Sequence, residues 1–245
     1  MILGLIPSRL NSKRLKEKPL LLIDKLPIIV HSLKRAQLSK KIDEVIVCTD
    51  HRKIVEVVKK HGGKAMLTSK KHVNGTERIF EIAKKFKKAK LIVDIQGDQP
   101  LIDPKSIDAT VDFHKKNKNF DIVLPSMPTT NDVSNKNIVK TIFAKNGKIL
   151  YFSRAKTPFN YKNGKVDYFK NLSIISFKPD ALKKFYYAKM GKIESIEGIE
   201  LMRAIEIGLN LGTFVVKGSD FAVDINEDLM RAIDIMPTDK VRKLY

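Results

Sequence analysis

Several protein classes are excluded by what this sequence lacks. It holds one cysteine, Cys48, among 245 residues. That rules out an internal disulfide and a disulfide scaffold, and makes the reducing cytosol the expected compartment. Twelve glycines and ten prolines are too few for collagen or low-complexity chain. No apolar run approaches the ~20 residues of a membrane-spanning helix, so no membrane insertion is expected. The apolar run at 1–6 meets Pro7 and Arg9 before reaching the length of a signal-peptide core. Five scattered histidines without an H-x₃-H spacing give a zinc site little support. The G-x-x-x-x-G-K-S, G-x-G-x-x-G and G-x-S-x-G motifs are all missing.

Positive charge is plentiful. Forty-seven Lys plus Arg against 27 Asp plus Glu give a net charge of +20. The lysines lie along the whole chain in pairs such as Lys59-Lys60 and Lys84-Lys85. They form no dense basic arm, and no RNA-binding aromatic signature accompanies them. A solvated lysine surface is the simpler reading, because net charge speaks to solubility and nonspecific association. A basic nucleic-acid-binding protein stays as the rival from another class, although no specific nucleic-acid partner is indicated.

Hydropathy periodicity predicts the fold. Strands are expected at 1–6, 44–50, 64–68 and 90–96, alternating with helices at 27–38, 51–61 and 76–86. That alternation implies a doubly wound α/β fold around a mostly parallel central sheet. Asp103 and Pro104 read as the cap and first turn of a helix over 104–116. The texture then changes. Strands at 121–127, 138–144 and 148–154, the last two joined by Asn146-Gly147, predict an antiparallel hairpin excursion. A strand at 172–177, helices at 179–188 and 195–207, closing strands at 213–218 and 221–225 and a helix at 227–236 complete the expectation. No linker interrupts the chain, so residues 1–245 read as one domain, with a protruding subregion near 137–178.

Four stretches carry the chemistry. In IPSRLNSKRLKEKPL (6–20), a strand runs into a loop bearing Ser8, Arg9, Ser12, Lys13, Arg14 and Lys18. A loop at the carboxyl end of a first parallel strand lines the ligand crevice of such folds. Its arginines and lysines suit a triphosphate, and a solvated basic loop is the bland alternative. In VDIQGDQP (93–100), Gln96 and Asp98 flank Gly97 at a strand's end. A carboxylate there suits Mg²⁺, which takes only one or two protein carboxylates when nucleotide phosphates supply the rest; a turn cap is the alternative. In FAVDINEDL (221–229), Asp224 precedes a helix whose expected cap is Asn226 or a neighbour, which leaves Asp224 free to approach a metal from the side opposite Asp98; an acidic residue favoured near a helix start by the dipole is the alternative. In HVNGTER (72–78), Gly75 and Thr76 open a helix whose N-terminus favours anions. Arg78 in its first turn is electrostatically disfavoured there, which points to a role beyond capping. His72 reads as a hydrogen-bonding residue.

Taken in order, these motifs resemble the CMP-sugar synthetase family, most closely the 3-deoxy-manno-octulosonate (Kdo) cytidylyltransferases. The family pattern I-P-A-R-x-x-S-x-R-L-x-x-K-P-L is matched by residues 6–20. VIVCTD (45–50), NGTER (74–78), VDIQGDQPLI (93–102), LYFSRAKTP (150–158) and VDINEDL (223–229) follow in the family's order. The resemblance implies a nucleotide-diphospho-sugar transferase-like fold, Mg²⁺ as cofactor, CTP and a 2-keto-3-deoxy sugar acid as substrates, and a cytoplasmic homodimer joined through the hairpin subregion. It implies that Arg9, Arg14 and Lys18 hold the CTP phosphates beside Ser8, with Arg78 and Gln96 at the nucleotide. It further implies that Asp98 and Asp224 ligate Mg²⁺, and that Arg154, Asn171 and Glu200 face the sugar. Arg9, Arg14, Lys18 and Asp98 are thereby the catalytic set.

The sugar half departs from the pattern. Asn171 stands where the family commonly has His, Ile175 and Phe177 replace aromatic positions of that segment, and Leu201 replaces a Gln. These changes predict Kdo or a Kdo-like ulosonate such as the 8-amino form as the acceptor. An acylneuraminate-type cytidylyltransferase is the alternative within the superfamily.

Overall fold

The computed structural model describes residues 1–12, 14–129, 133–217 and 221–245; Lys13 and Gly218 therefore lie outside the described residues. The chain opens with β1 (Ile2–Ser8), buried from Leu3 onward, and a short hairpin of β2 (Leu22–Ile23) and β3 (Leu26–Pro27). Then come α1 (Ile28–Gln37), β4 (Glu44–Thr49), α2 (Arg52–Lys60), β5 (Lys64–Leu67), α3 (Gly75–Ala83), β6 (Leu91–Ile95) and α4 (Pro104–Lys116). The expected alternation is observed throughout this half. Pro27 ends β3 just before α1 instead of lying in its first turn. Asp103 caps α4 by accepting from the Lys105 N–H at 3.0 Å.

The second half runs through β7 (Ile122–Val123), β8 (Ser126–Pro128), β9 (Lys140–Phe143), β10 (Ile149–Ser153), β11 (Phe169–Asn171) and β12 (Ile174–Phe177). It continues with α5 (Pro179–Tyr187), α6 (Lys192–Glu197), α7 (Leu201–Glu206), β13 (Leu211–Gly212) and α8 (Asn226–Ile235). The central sheet has the order β13-β7-β12-β6-β1-β4-β5. β6, β1, β4 and β5 are mutually parallel, and β12 is antiparallel to both β6 and β7. A second, antiparallel sheet has the order β10-β9-β11-β8. It contains the predicted hairpin, whose turn places Gly147 at φ +81°, a left-handed conformation that glycine adopts without penalty.

Four expectations are corrected. The run at 121–127 divides between the two sheets, because Leu124 and Pro125 separate β7 from β8 and proline has no N–H for a ladder. Residues 195–207 form two helices, broken at Gly198 with φ +61°. Beyond β13, the described part of the 213–218 segment, 213–217, contributes a bridge from Val215 to Ser126 in place of the expected strand. Residues 221–225 form no strand; the Val223 N–H donates to the Asp98 carbonyl at 2.9 Å.

Alternate residues of the sheet face opposite layers. Leu3, Leu5, Ile46 and Ile92 pack under α3, α5 and α7, while Val47, Val93 and Ile95 pack under α1, α2 and α4. A third cluster seats α8: Ala232 and Met236 meet Val223, Ile28 and Leu101. That seat brings the C-terminal segment back to the end of β6. The chain leaves β1 toward β4 on one side and returns to β6 on the other. The β1/β6 boundary is thus the topological switch point, where open α/β sheets bind ligands.

Candidate active site

A cleft of about 590 Å³ opens at this switch point. Its floor is made by the carboxyl ends of β1 and β6, which approach closely. A Cβ at Gly97 would lie 2.9 Å from the Pro7 carbonyl oxygen, and one at Gly75 would lie 3.2 Å from the Pro7 ring. Both glycines let three chain segments meet. Ser8, Arg9, Arg14 and Lys18 line the cleft from the loop after β1, Gln96 and Asp98 from the end of β6, Arg78 from α3, and Asp224 from the segment before α8. The eight residues come from sequence positions up to 216 apart and share one wall.

At the centre is a charge cluster. Lys18 Nζ donates to Asp98 Oδ2 at 2.7 Å, to the Val223 carbonyl at 2.8 Å and to Asp224 Oδ1 at 3.2 Å. Arg14 donates to the same Asp224 oxygen at 2.8 Å. The two aspartates therefore converge on a single cation. Asn226 does not cap α8 as expected: Asp228 accepts from the Asp224 and Ile225 backbone N–H groups, so Asp224 still faces the cleft. Two carboxylates and a carbonyl around one point are hard oxygen donors of the kind Mg²⁺ takes. This donor set fits the ion. Among the described residues no group of three or more His, Cys, Asp or Glu that could hold a metal ion is present.

The flanking residues are held by partners to which the sequence reading gave no role. Arg78 is 3% exposed; it donates to Thr68 Oγ1 at 2.5 Å and to Asp50 Oδ2 at 3.3 Å. Asp50 accepts the Leu10 N–H at 3.2 Å, so Arg78 braces the loop after β1. Gln96 Nε2 donates to both oxygens of Asp94 at 3.1 Å, which turns the amide oxygen away from that carboxylate. Burial, then the charges of Glu200 and Asp98, pushes the Asp94 carboxyl well above its ordinary range. A charged residue inside an otherwise apolar, fully buried strand was the available signal for Asp94. Asp50 and Asp228 had only their membership of the VIVCTD and VDINEDL matches as a signal. His72 is engaged with Glu81 at 2.6 Å, in line with its hydrogen-bonding role. Cys48 is buried and its thiol pushed up by burial, which makes it no nucleophile.

Arg154, Asn171 and Glu200 do not line the cleft wall. The Arg154 guanidinium donates to three backbone carbonyls, of Glu197, Lys136 and Gly198, and ties β10 to the end of α6. Asn171 pairs with Ser126 in the second sheet. Glu200 lies near Thr76 at the start of α3, its Oε1 is buried with no hydrogen-bond partner among the described residues, and its carboxyl is raised by burial. Leu201 packs in the core.

The family profile described as Cytidylyltransferase matches residues 3–215. A 3-deoxy-manno-octulosonate cytidylyltransferase of Thermodesulfovibrio yellowstonii is 37% identical over 238 residues, covering 91% of this chain and 93% of the relative. The chain belongs to the Kdo cytidylyltransferase family. A Kdo cytidylyltransferase of Fusobacterium nucleatum is 35% identical and covers 98% of each chain. The solved structure of a CMP:2-keto-3-deoxy-manno-octonic acid synthetase complexed with CTP superposes with a TM-score of 0.93 at 28% identity, over 97% of this chain and 98% of that one. A Leptospira borgpetersenii cytidylyltransferase, 21% identical with a TM-score of 0.67 over 97% of this chain and 87% of its own, shares the fold.

Proposed function

We propose that the protein joins CMP from CTP to a 3-deoxy-2-ulosonate, Kdo, and releases pyrophosphate. The observation that carries the reading is the convergence of Asp98 and Asp224, with Lys18 and Arg14, at the switch point of a fold that overlays a Kdo-activating synthetase. In this reaction the oxygen of the sugar's anomeric hydroxyl bonds to the α-phosphorus of CTP, its proton passing to solvent, while the bond from that phosphorus to the pyrophosphate oxygen breaks. Arg9, Arg14 and Lys18 gather the triphosphate and offset its repulsion toward the sugar carboxylate. Asp98 and Asp224 would hold Mg²⁺, which when bound would supply Lewis-acid polarisation of the phosphoryl oxygens. Gln96 presents its amide oxygen to a ligand hydrogen-bond donor, because its nitrogen is occupied by Asp94. Positioning and electrostatics supply the catalysis, with no covalent enzyme intermediate.

The protein acts in the cytoplasm as a homodimer. Among the described residues no helix is long and apolar enough to cross a membrane. Phe159 and Tyr161, 83% and 84% exposed, give the 137–178 region the apolar surface a second copy would cover.

Pyrophosphate release, measured with each nucleoside triphosphate against Kdo, its 8-amino analogue and a sialic acid, with and without Mg²⁺, tests this reading. CTP with Kdo and Mg²⁺ is expected to turn over fastest. Best turnover with sialic acid, or equal rates in EDTA, would reject it.

A further inference from the structure

The three protons of the Lys18 ammonium meet three acceptors: Asp98 Oδ2 at 2.7 Å, the Val223 carbonyl at 2.8 Å and Asp224 Oδ1 at 3.2 Å. A lysine has three donors, so this nest satisfies it completely. The side chain is 14% exposed, and solvent screens its charge only in part. Arg14 adds a second cation on Asp224. Two carboxylates therefore face two cations, and the cluster is formally neutral. A divalent ion entering this arrangement meets an ammonium already seated between its ligands.

We infer that Lys18 is a placeholder for the divalent ion. In the nucleotide-free protein it holds the two carboxylates together and excludes the metal; an arriving triphosphate draws the ammonium onto its own oxygens and opens the site. The inference rests on the reading of Asp98 and Asp224 as metal ligands. The compact ammonium on a flexible four-carbon stem suits such an exchange, since it can swing while the short helical turn at Lys18–Leu20 stays in place. The triphosphate brings several negative charges, which replace both carboxylates as partners of Lys18 and Arg14. Metal and nucleotide binding are thus coupled beyond chelation of the ion by the phosphates. Lys18 opposes the metal in one state and binds the nucleotide in the other.

The rival role for Lys18, holding the carboxylates ready so that the ion binds better, predicts the opposite sign. The test is Mn²⁺ binding, read by electron paramagnetic resonance of the free ion, for wild type, Lys18→Met and Lys18→Arg, with and without CTP. Without nucleotide, Lys18→Met is expected to bind Mn²⁺ tighter than wild type by about tenfold or more, from relief of charge repulsion at short range. Lys18→Arg, which keeps the charge, is expected to bind it as weakly as wild type. If the Met variant does not fold, Lys18→Gln serves in its place, and a rise of its melting temperature with Mn²⁺ alone gives the same information. Equal or weaker Mn²⁺ binding by the neutral variants overturns the inference. Unchanged Mn²⁺ binding by Asp98→Asn in the presence of CTP would instead overturn the ligand assignment beneath it.

Discussion

Asp228 accepts the backbone N–H of Asp224 at 2.9 Å and that of Ile225 at 3.1 Å. The helix thus satisfies its own first turn, and the Asp224 carboxylate remains turned to Lys18 and Arg14. Substituting Asp228→Ala removes an acceptor worth about 1 kcal/mol and lowers the melting temperature by roughly 2–4 °C. Turnover is expected to fall further than this small loss explains, because Asp224 loses its seat. Asp228→Asn keeps an acceptor and is expected to recover most of both. Thermal melts alongside pyrophosphate release check this; equal activity in the Ala variant would separate the cap from the site.

Arg78 is expected to act as a brace. Its guanidinium spans Thr68 and Asp50, and Asp50 holds the Leu10 N–H. Arg78→Met leaves Asp50 without its ion pair. The cost is about 2–3 kcal/mol, below the fully buried range because Asp50 is 18% exposed. Urea denaturation should show that loss, and the KM for CTP should rise as the loop bearing Ser8 and Arg9 loosens. A KM increase without any stability loss would make Arg78 a direct nucleotide ligand instead.

His114 gives the fold an acid limit. Burial depresses its imidazole to about 4, while its ring nitrogens engage Ser176 and the Phe120 carbonyl. The folded value lies below the unfolded one, so the unfolded chain binds the extra proton between about pH 4 and pH 6.5. The contribution is fully present above pH 6.5 and is lost as the pH falls toward 4, to the extent of about 3 kcal/mol. Denaturation of wild type and His114→Gln at pH 7 and pH 4.5 should show a shallower pH dependence in the variant. Parallel pH profiles would contradict this.

Asp94 has the opposite effect. Its folded value is raised by burial and by Glu200 and Asp98. The folded state therefore binds the proton more tightly than the unfolded chain, and stability is lost as pH rises through the folded value. Asp94→Asn is expected to stabilise the protein at pH 8, with the difference shrinking toward pH 4. A variant less stable than wild type at pH 8 would show that the Gln96 hydrogen bonds outweigh the burial penalty.

The first half of the fold was legible because β1, β4 and β6 are continuous apolar runs and the helices between them repeat every three to four residues. Where pattern failed, a local event overrode it. Pro125 split one apolar run between two sheets, Gly198 broke one helical pattern in two, and 221–225 is held at the β6 loop by the Val223 N–H to Asp98 carbonyl bond. The cleft-lining residues of the first loop were legible because a loop after a first strand must open at the switch point. The braces were not. Asp50 and Asp228 act through contacts 28 and 4 residues away, and no spacing rule distinguishes them from ordinary surface or cap carboxylates, whereas Asp94 stood out as a charge in a buried apolar strand. Arg154 was placed at the sugar by the resemblance alone; in the structure its guanidinium is engaged by three carbonyls.

The most direct measurement is the rate of pyrophosphate release from CTP and Kdo by Asp98→Asn and by Asp224→Asn, each beside a circular dichroism spectrum of the same preparation. Both variants should keep the wild-type spectrum and lose roughly 10² to 10³-fold in turnover, the loss expected when one electrostatic element of such a site is removed. Near-normal turnover in either folded variant would contradict the placement of the metal between these two aspartates.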